Sequence, residues 1–259
     1  MISEKQQKIM AFPYSKYDAL ICDGAVRSGK TSIMMWAFVR WAMENFSGQR
    51  FGVCGRTVDS CTKNIIVPFT AMSLAKERYL IRWRRGDKVM EVRRGAVTNY
   101  FEVFGGKDEA SYTLIQGRTL AGVLLDEVVL MPRSFVEQAL TRCSVDGAKL
   151  WFSCNPGSPQ HWFYTEWIKR NRERNALYLH FTMPDKVNYG PSPMISKRGH
   201  KVVEMPKDII AEVAQAYADA AFRAKKLKTW AYLILLPVEK LLHELVFCDK
   251  CSCHCEHVY

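Results

Sequence analysis

The eight residues Gly24-Ala25-Val26-Arg27-Ser28-Gly29-Lys30-Thr31 constrain this chain more than any others in it. They place glycine, glycine, lysine and a hydroxyl at the fixed positions of G-x-x-x-x-G-K-[ST]. Glycines let the backbone curl until successive N–H groups converge on one anion. An apolar run at 17–22 leads into the loop and reads as a buried strand. Residues 31–45, rich in Met, Ala, Trp and Phe and free of Gly and Pro, follow it and read as a largely buried helix. Strand, glycine turn and helix in that order put the positive end of the helix on a bound phosphate.

The rest of the first 185 residues repeats the alternation. Strands are expected at 51–54, 122–126, 149–154 and 176–183. Helices are expected at 58–76, with Pro68 marking a kink or break, at 133–143, and at 159–170, which is rich in aromatics. Between 81 and 106 the pattern changes to alternating residues punctuated by Gly86-Asp87 and Gly95-Ala96, a β-meander. This order predicts an α/β fold, a P-loop NTPase of the ASCE type, with a mostly parallel central sheet flanked by helices on both faces. After about residue 185 the alternation stops. Residues 190–199 are loop-like, and 207–228 are alanine-rich and helical. The expected organisation is an ATPase domain at 1–185 and a small helical or irregular tail at 186–259.

Chemistry assigns roles within the first part. The backbone at Gly24, Arg27, Ser28 and Gly29 would cradle phosphates. Lys30 would neutralise the β- and γ-phosphates of ATP, and the Thr31 hydroxyl would ligate Mg²⁺. Arg27 is either an arginine placed against the γ-phosphate, where it would stabilise transition-state charge, or a solvated surface residue. "GVLLDE" ends an apolar strand in two carboxylates. Asp126 would hold Mg²⁺ through water or through Thr31, and Glu127 would orient and deprotonate the attacking water. Ser153 and Asn155, at the end of the strand "LWFSCNP", would contact the γ-phosphate or its water and couple hydrolysis to movement. The Asn-Pro-Gly that follows is also strong turn chemistry.

The formal net charge of +11 points to a polyanion partner, nucleic acid before acidic membranes. The first ten residues lack an apolar core, and the longest apolar run near the C-terminus, 230–236, is far short of the roughly 20 residues of a membrane span. Five of the nine cysteines stand singly in or beside apolar segments, which implies a reducing, cytosolic setting. The other four, Cys248, Cys251, Cys253 and Cys255, cluster with His243, His254 and His257. Such ligands suit zinc, but so dense a cluster strains to surround one ion, and a reactive tail is the competing reading.

Four segments taken in order, "GAVRSGKT", "IQGRTLAGVLLDEVVLMP", "LWFSCNPGSPQHWFYTEWIKR" and "LYLHFTMPD", resemble the large terminase subunit of tailed bacteriophages, in the branch typified by Bacillus defective-phage terminases. The resemblance covers about residues 1–185. It implies an ATPase that pumps double-stranded DNA through a portal protein into a preformed capsid. It also implies a small terminase subunit as partner, a ring-forming homo-oligomer during packaging, and the cytoplasm of the bacterial host as location. Lys30 and Thr31 match the family's Walker A pair, Asp126 and Glu127 its Walker B pair, and residues 153–156 its coupling motif. Gln6 or Gln7 falls where the family carries an adenine-contacting glutamine. Arg118 and Arg142 are candidates for an arginine that reaches a neighbouring subunit's site. The departure lies after residue 185. Asp185, Glu204, Asp208, Glu212 and Asp219 are present, but no apolar strand carries an Asp, so the family's nuclease domain is expected to be missing and DNA cutting is not expected. The alternative to a motor subunit is a truncated or decayed nucleotide-binding remnant that acts only in assembly.

Overall fold

The computed structural model describes residues 3–24, 29–155 and 157–182. Arg27, Ser28, the helix expected at 207–228 and the cysteine cluster at Cys248, Cys251, Cys253 and Cys255 lie outside the described residues. The chain divides into two units, Met1–Asn188 and Tyr189–Tyr259. All described residues fall in the first.

Helix α1 (Glu4–Ala11) opens the described chain behind a reciprocal cap between Ser3 and Gln6. Strand β1 (Ala19–Gly24) leads to α2 (Lys30–Asn45), and β2 (Arg50–Gly55) follows. A broken helical segment comes next, as α3 (Val58–Cys61), α4 (Val67–Ala71) and α5 (Ser73–Arg78). Strands β3 (Leu80–Arg84), β4 (Val89–Arg94) and β5 (Val97–Gly105) form the meander. Then come β6 (Gly122–Leu125), α6 (Arg133–Thr141), β7 (Lys149–Ser153) and β8 (Ala176–Phe181). All eight strands join one sheet in the order β3-β4-β5-β2-β6-β7-β1-β8. The ladders from β5 to β8 are parallel, and the two hairpin ladders are antiparallel. The expected sheet is therefore present, with β7 inserted between the loop strand β1 and the acid-bearing strand β6.

Every residue of β1 is buried because both sheet faces are covered. Leu20 and Cys22 face the α2 side, where Phe38, Trp41, Phe51, Phe101 and Trp151 interlock edge to face or stacked. Ala19 and Ile21 face the other side, against Phe135 and Val136 of α6 and the aromatic trio Phe152, Phe163 and Trp167.

Two expected helices differ in detail. The segment 58–76 does not break at Pro68. A π turn at Thr62–Ile66 precedes the proline, and the Val67 N–H reaches back five residues to Thr62. That widened turn reroutes the hydrogen bonds where Pro68 has none to give, and the chain leaves helical geometry only at Met72, whose ψ is 125°. The aromatic segment is likewise a short π turn, Tyr164–Ile168, closed by Lys169 N–H to Tyr164 O at 2.9 Å.

Gly24 ends β1 with φ +108°, and a Cβ there would collide with the backbone carbonyl of Phe181 on the neighbouring strand. The edge strand β8 lies directly against the start of the loop.

Candidate nucleotide-binding site

The carboxyl ends of β1, β6 and β7 converge on one carboxylate. The Asp126 N–H donates to Cys54 O at 2.8 Å, which continues the β6–β2 ladder one residue past the strand and fixes the backbone. The buried side chain then meets two hydroxyls. Thr31 Oγ1, in the first turn of α2, donates to Asp126 Oδ1 at 3.1 Å. Ser153 Oγ, at the end of β7, donates to the same oxygen. Lys30 Nζ donates to Gly24 O at 3.1 Å and to Asn155 Oδ1 at 3.2 Å, so it ties the end of β1 to the segment after β7. Gly29 stands at the start of α2 with φ +76°, a left-handed geometry that glycine adopts without strain.

Glu127 also has left-handed backbone, with φ 54° and ψ 46°, although it carries a full side chain. Such a conformation costs about 1–2 kcal/mol and persists where the surroundings enforce it. Here Asp126 is locked to β2 on one side, and Leu130 N–H bonds to Glu127 O at 2.8 Å on the other. The turn aims Glu127 into the cleft instead of letting β6 continue.

These residues line a cleft of about 420 Å³. Its walls are Gly29 to Ser32 at the start of α2, Asp126 and Glu127 after β6, Ser153 to Asn155 at the end of β7, and Lys63, Asn64 and Pro68 on the π turn and α4. Burial lowers the Lys30 ammonium below its ordinary pKa of 10.5, and Asp126 partly restores it. Burial also raises the thiols beside it, Cys22 strongly and Cys154 to about 12, so both stay neutral at physiological pH. A hydroxyl and a carboxylate oxygen 3.1 Å apart at the foot of the cleft are hard oxygen donors of the kind Mg²⁺ prefers.

Gln7 does not line the cleft. Gln6 is spent on the cap of α1, whereas Gln7 Oε1 is buried without a partner among the described residues. The same helix carries Lys5, whose Nζ lies over the Phe181 ring at the loop end of β8. Arg118 and Arg142 sit at the opposite end of the sheet from the cleft. Arg118 pairs with Glu102 at 3.5 Å, and the Arg142 carbonyl accepts from Leu120 N–H just before β6.

Two groups escaped the sequence reading. Lys63 and Asn64 carry no motif. Asp23, one residue before the loop, is buried and held by Tyr178 OH at 3.0 Å and His180 Nδ1 at 2.7 Å, both from β8. Burial first, and Asp23 second, push the Tyr178 hydroxyl's pKa well up.

The family described as terminase large subunit, T4likevirus-type, N-terminal, matches residues 21–225. The large terminase of a thermophilic bacteriophage is 47% identical, with a TM-score of 0.69, over 74% of this chain and 48% of that one. The same thermophilic phage's large terminase in complex with ADP is 47% identical over 71% of this chain and 46% of that one, with a TM-score of 0.68. The chain thus spans about half the length of these structures. The HK97 bacteriophage large terminase is 11% identical at a TM-score of 0.55, over 86% of this chain and 48% of that one, and shows a shared fold alone. No curated protein matches the chain. Its sheet order, its Thr31–Asp126 contact and the match over 21–225 agree: the chain belongs to the T4likevirus-type family of terminase large subunits, as its N-terminal part.

Proposed function

We propose that this chain is the ATP-hydrolysing part of a motor subunit that drives viral double-stranded DNA into a preformed capsid. In this reading residues 1–185 are the ATPase domain and 186–259 a separate tail. The observation that carries it is Asp126, gripped at one oxygen by Thr31 of the loop helix and by Ser153 of β7. The thermophilic phage terminase's complexes with ADP and with ATP-γ-S support nucleotide as the ligand.

The chemistry follows from the cleft. Gly29 N–H and Lys30 hold the β- and γ-phosphates. Thr31 and Asp126 would hold magnesium, which would supply positive charge to neutralise the phosphates. Water oxygen bonds to the γ-phosphorus while the bond to the leaving oxygen breaks. The electron pair stays with ADP, and the Glu127 carboxylate takes the water's proton. Arg27, in the loop, stabilises the transferring phosphoryl charge. Lys30 leaves Asn155 for phosphate as nucleotide enters, so the segment after β7 feels whether phosphate is present. Gln7, with its unpartnered amide oxygen, contacts the adenine amino group. In a ring of copies, Arg118 or Arg142 reaches the neighbouring cleft.

DNA phosphates have a surface to meet. On the sheet face opposite α2, the register places Arg50, Arg82, Arg84 and Arg93 together with Glu91 and Glu102. Glu91 pairs with Arg84, and Glu102 with Arg50 and Arg118. Arg82 and Arg93 are exposed and have no ion-pair partner among the described residues. Contacts of this kind position DNA without reading its sequence. A portal protein, a small terminase subunit and the cytoplasm of the bacterial host complete the reading. No helix of the described residues is long and apolar enough to cross a membrane. The cleft that the described residues form argues against a remnant that serves only in assembly, and endonuclease activity is not assigned to this chain.

The test is hydrolysis. The purified chain should release phosphate from Mg-ATP, and Glu127→Gln should bind ATP without releasing it. Equal turnover in both would overturn the assignment of Glu127.

A further inference from the structure

We propose that Lys63 is a second cation of the nucleotide site, one that meets the γ-phosphate from the wall opposite Lys30 and so lets the cleft tell a triphosphate from a diphosphate. The inference rests on the ATP reading above and adds to it the residue that senses the terminal phosphate.

The segment from Val58 to Ala71 is pinned onto the end of β2. Thr57 caps it through Ser60 N–H at 3.0 Å. Cys61 lies against Gly55, so close that a Cβ on that glycine would meet the Cys61 Cβ at 2.8 Å. Because β2 is the neighbour of β6, the start of this segment stands beside Asp126, whose N–H bonds to Cys54 of β2. Lys30 stands on the other side of the two carboxylates, tied to β1 and to the segment after β7. The strand order β2-β6-β7-β1 therefore sets the two lysines on opposite walls, with Asp126 and Glu127 between them.

The π turn supplies both a buried face and part of the cleft wall. Cys61, Ile65, Ile66 and Phe69 are all buried in the α2-side core. An amphipathic α-helix turns about three to four residues in every two turns toward such a core, adjacent pairs included. Ile65 and Ile66 of the π turn both go inward, and Lys63 and Asn64 of the same turn line the cleft wall. π turns of this kind occur often at functional sites.

Lys63 is exposed and, among the described residues, makes no ion pair, although two carboxylates line the same cleft. Its chemistry suits a phosphate oxygen: three donors on a flexible stem, which adapt to an anion whose geometry changes during transfer. ADP presents no γ-phosphate to it.

The experiment uses the full chain and measures affinity for ATP-γ-S and for ADP, both with Mg²⁺, in wild type, Lys63→Ala and Lys63→Arg. A lost charged hydrogen bond should weaken ATP-γ-S by about tenfold or more in Lys63→Ala. ADP should stay within about twofold, and Lys63→Arg should recover much of the loss. Unchanged affinity for both nucleotides, or an equal fall for both, overturns the proposal. Wild type that neither binds nor hydrolyses nucleotide fails the ATP reading itself. Active wild type beside an unaltered Lys63→Ala fails this inference alone.

Discussion

Thr31 Oγ1 lies 3.1 Å from Asp126 Oδ1, and Ser153 occupies the same oxygen from the other side. A metal-holding carboxylate is only as well placed as the groups that orient it. Such supports are commonly worth 10- to 100-fold in metal affinity or activity. Ser153→Ala should therefore raise the Mg²⁺ concentration for half-maximal turnover by roughly tenfold, with little change in nucleotide affinity at saturating Mg²⁺. A magnesium titration of phosphate release checks it, and an unchanged midpoint would remove Ser153 from the site's support.

Glu127 trades stability for position. Its left-handed backbone suits glycine or asparagine better than glutamate. Glu127→Gly should abolish turnover yet stabilise the fold by about 1 kcal/mol. Glu127→Gln, which keeps the strain, should abolish turnover without that gain. Thermal unfolding of the two variants side by side separates strain from charge, and a Gly variant no more stable than the Gln variant would dismiss the strain.

Burial makes the Lys30 ammonium easier to deprotonate than an ordinary lysine. A bound polyphosphate favours the charged form and raises the pKa again. Nucleotide affinity should thus fall as pH rises through the lowered pKa of the free protein, and binding should take up protons in that window. Calorimetry in two buffers of different ionisation heat reads the uptake directly, and binding that releases protons there would contradict the sign.

Arg27 lies in the loop itself, outside the described residues, so its prediction comes from chemistry alone. If its planar fork meets charge that develops only in the transition state, Arg27→Ala should hold ATP affinity within a few fold and lower turnover by roughly 10³. Arg27→Lys should recover part of the rate, because the charge survives and the fork does not. Full turnover of Arg27→Ala at saturating ATP would refute the role.

Arg82 and Arg93, exposed on the sheet face opposite α2, make no ion pair among the described residues. The double variant Arg82→Glu and Arg93→Glu should bind double-stranded DNA more weakly. Its affinity should also depend less steeply on salt, because fewer counterions are released. ATP hydrolysis without DNA should not change. An unaltered salt slope would place the DNA elsewhere.

The nucleotide loop, the acid pair and the sheet were legible because each leaves a local trace: glycines at fixed spacing, an apolar run that ends in carboxylates, alternation of strand and helix. The trouble came where tertiary contacts override local rules. Pro68 looks like a break, yet the π turn before it absorbs the missing donor, and the chain turns at Met72 instead. The aromatics of 159–170 have helical spacing, and Phe163 and Trp167 both pack on Phe152, yet the residues between them form a π turn that no local pattern marks. Lys63 left no trace because one lysine on an amphipathic segment looks like any solvated residue until the sheet order sets it beside Asp126. The hold of Tyr178 and His180 on Asp23 joins residues more than 150 positions apart, and nothing local marks it.

The contact between Gly24 and Phe181 changes what the first glycine of the loop can testify to. Any side chain there would have to displace the backbone of an adjoining strand, and the positive φ adds its own penalty. The position is closed to substitution by sheet geometry, with or without phosphate. A descendant of this chain that had given up ATP altogether would still keep that glycine while it kept the fold. Gly29, Lys30 and Thr31 are the residues free to drift once binding is lost, so their integrity, not that of Gly24, is the mark by which a working loop can be told from a retired one.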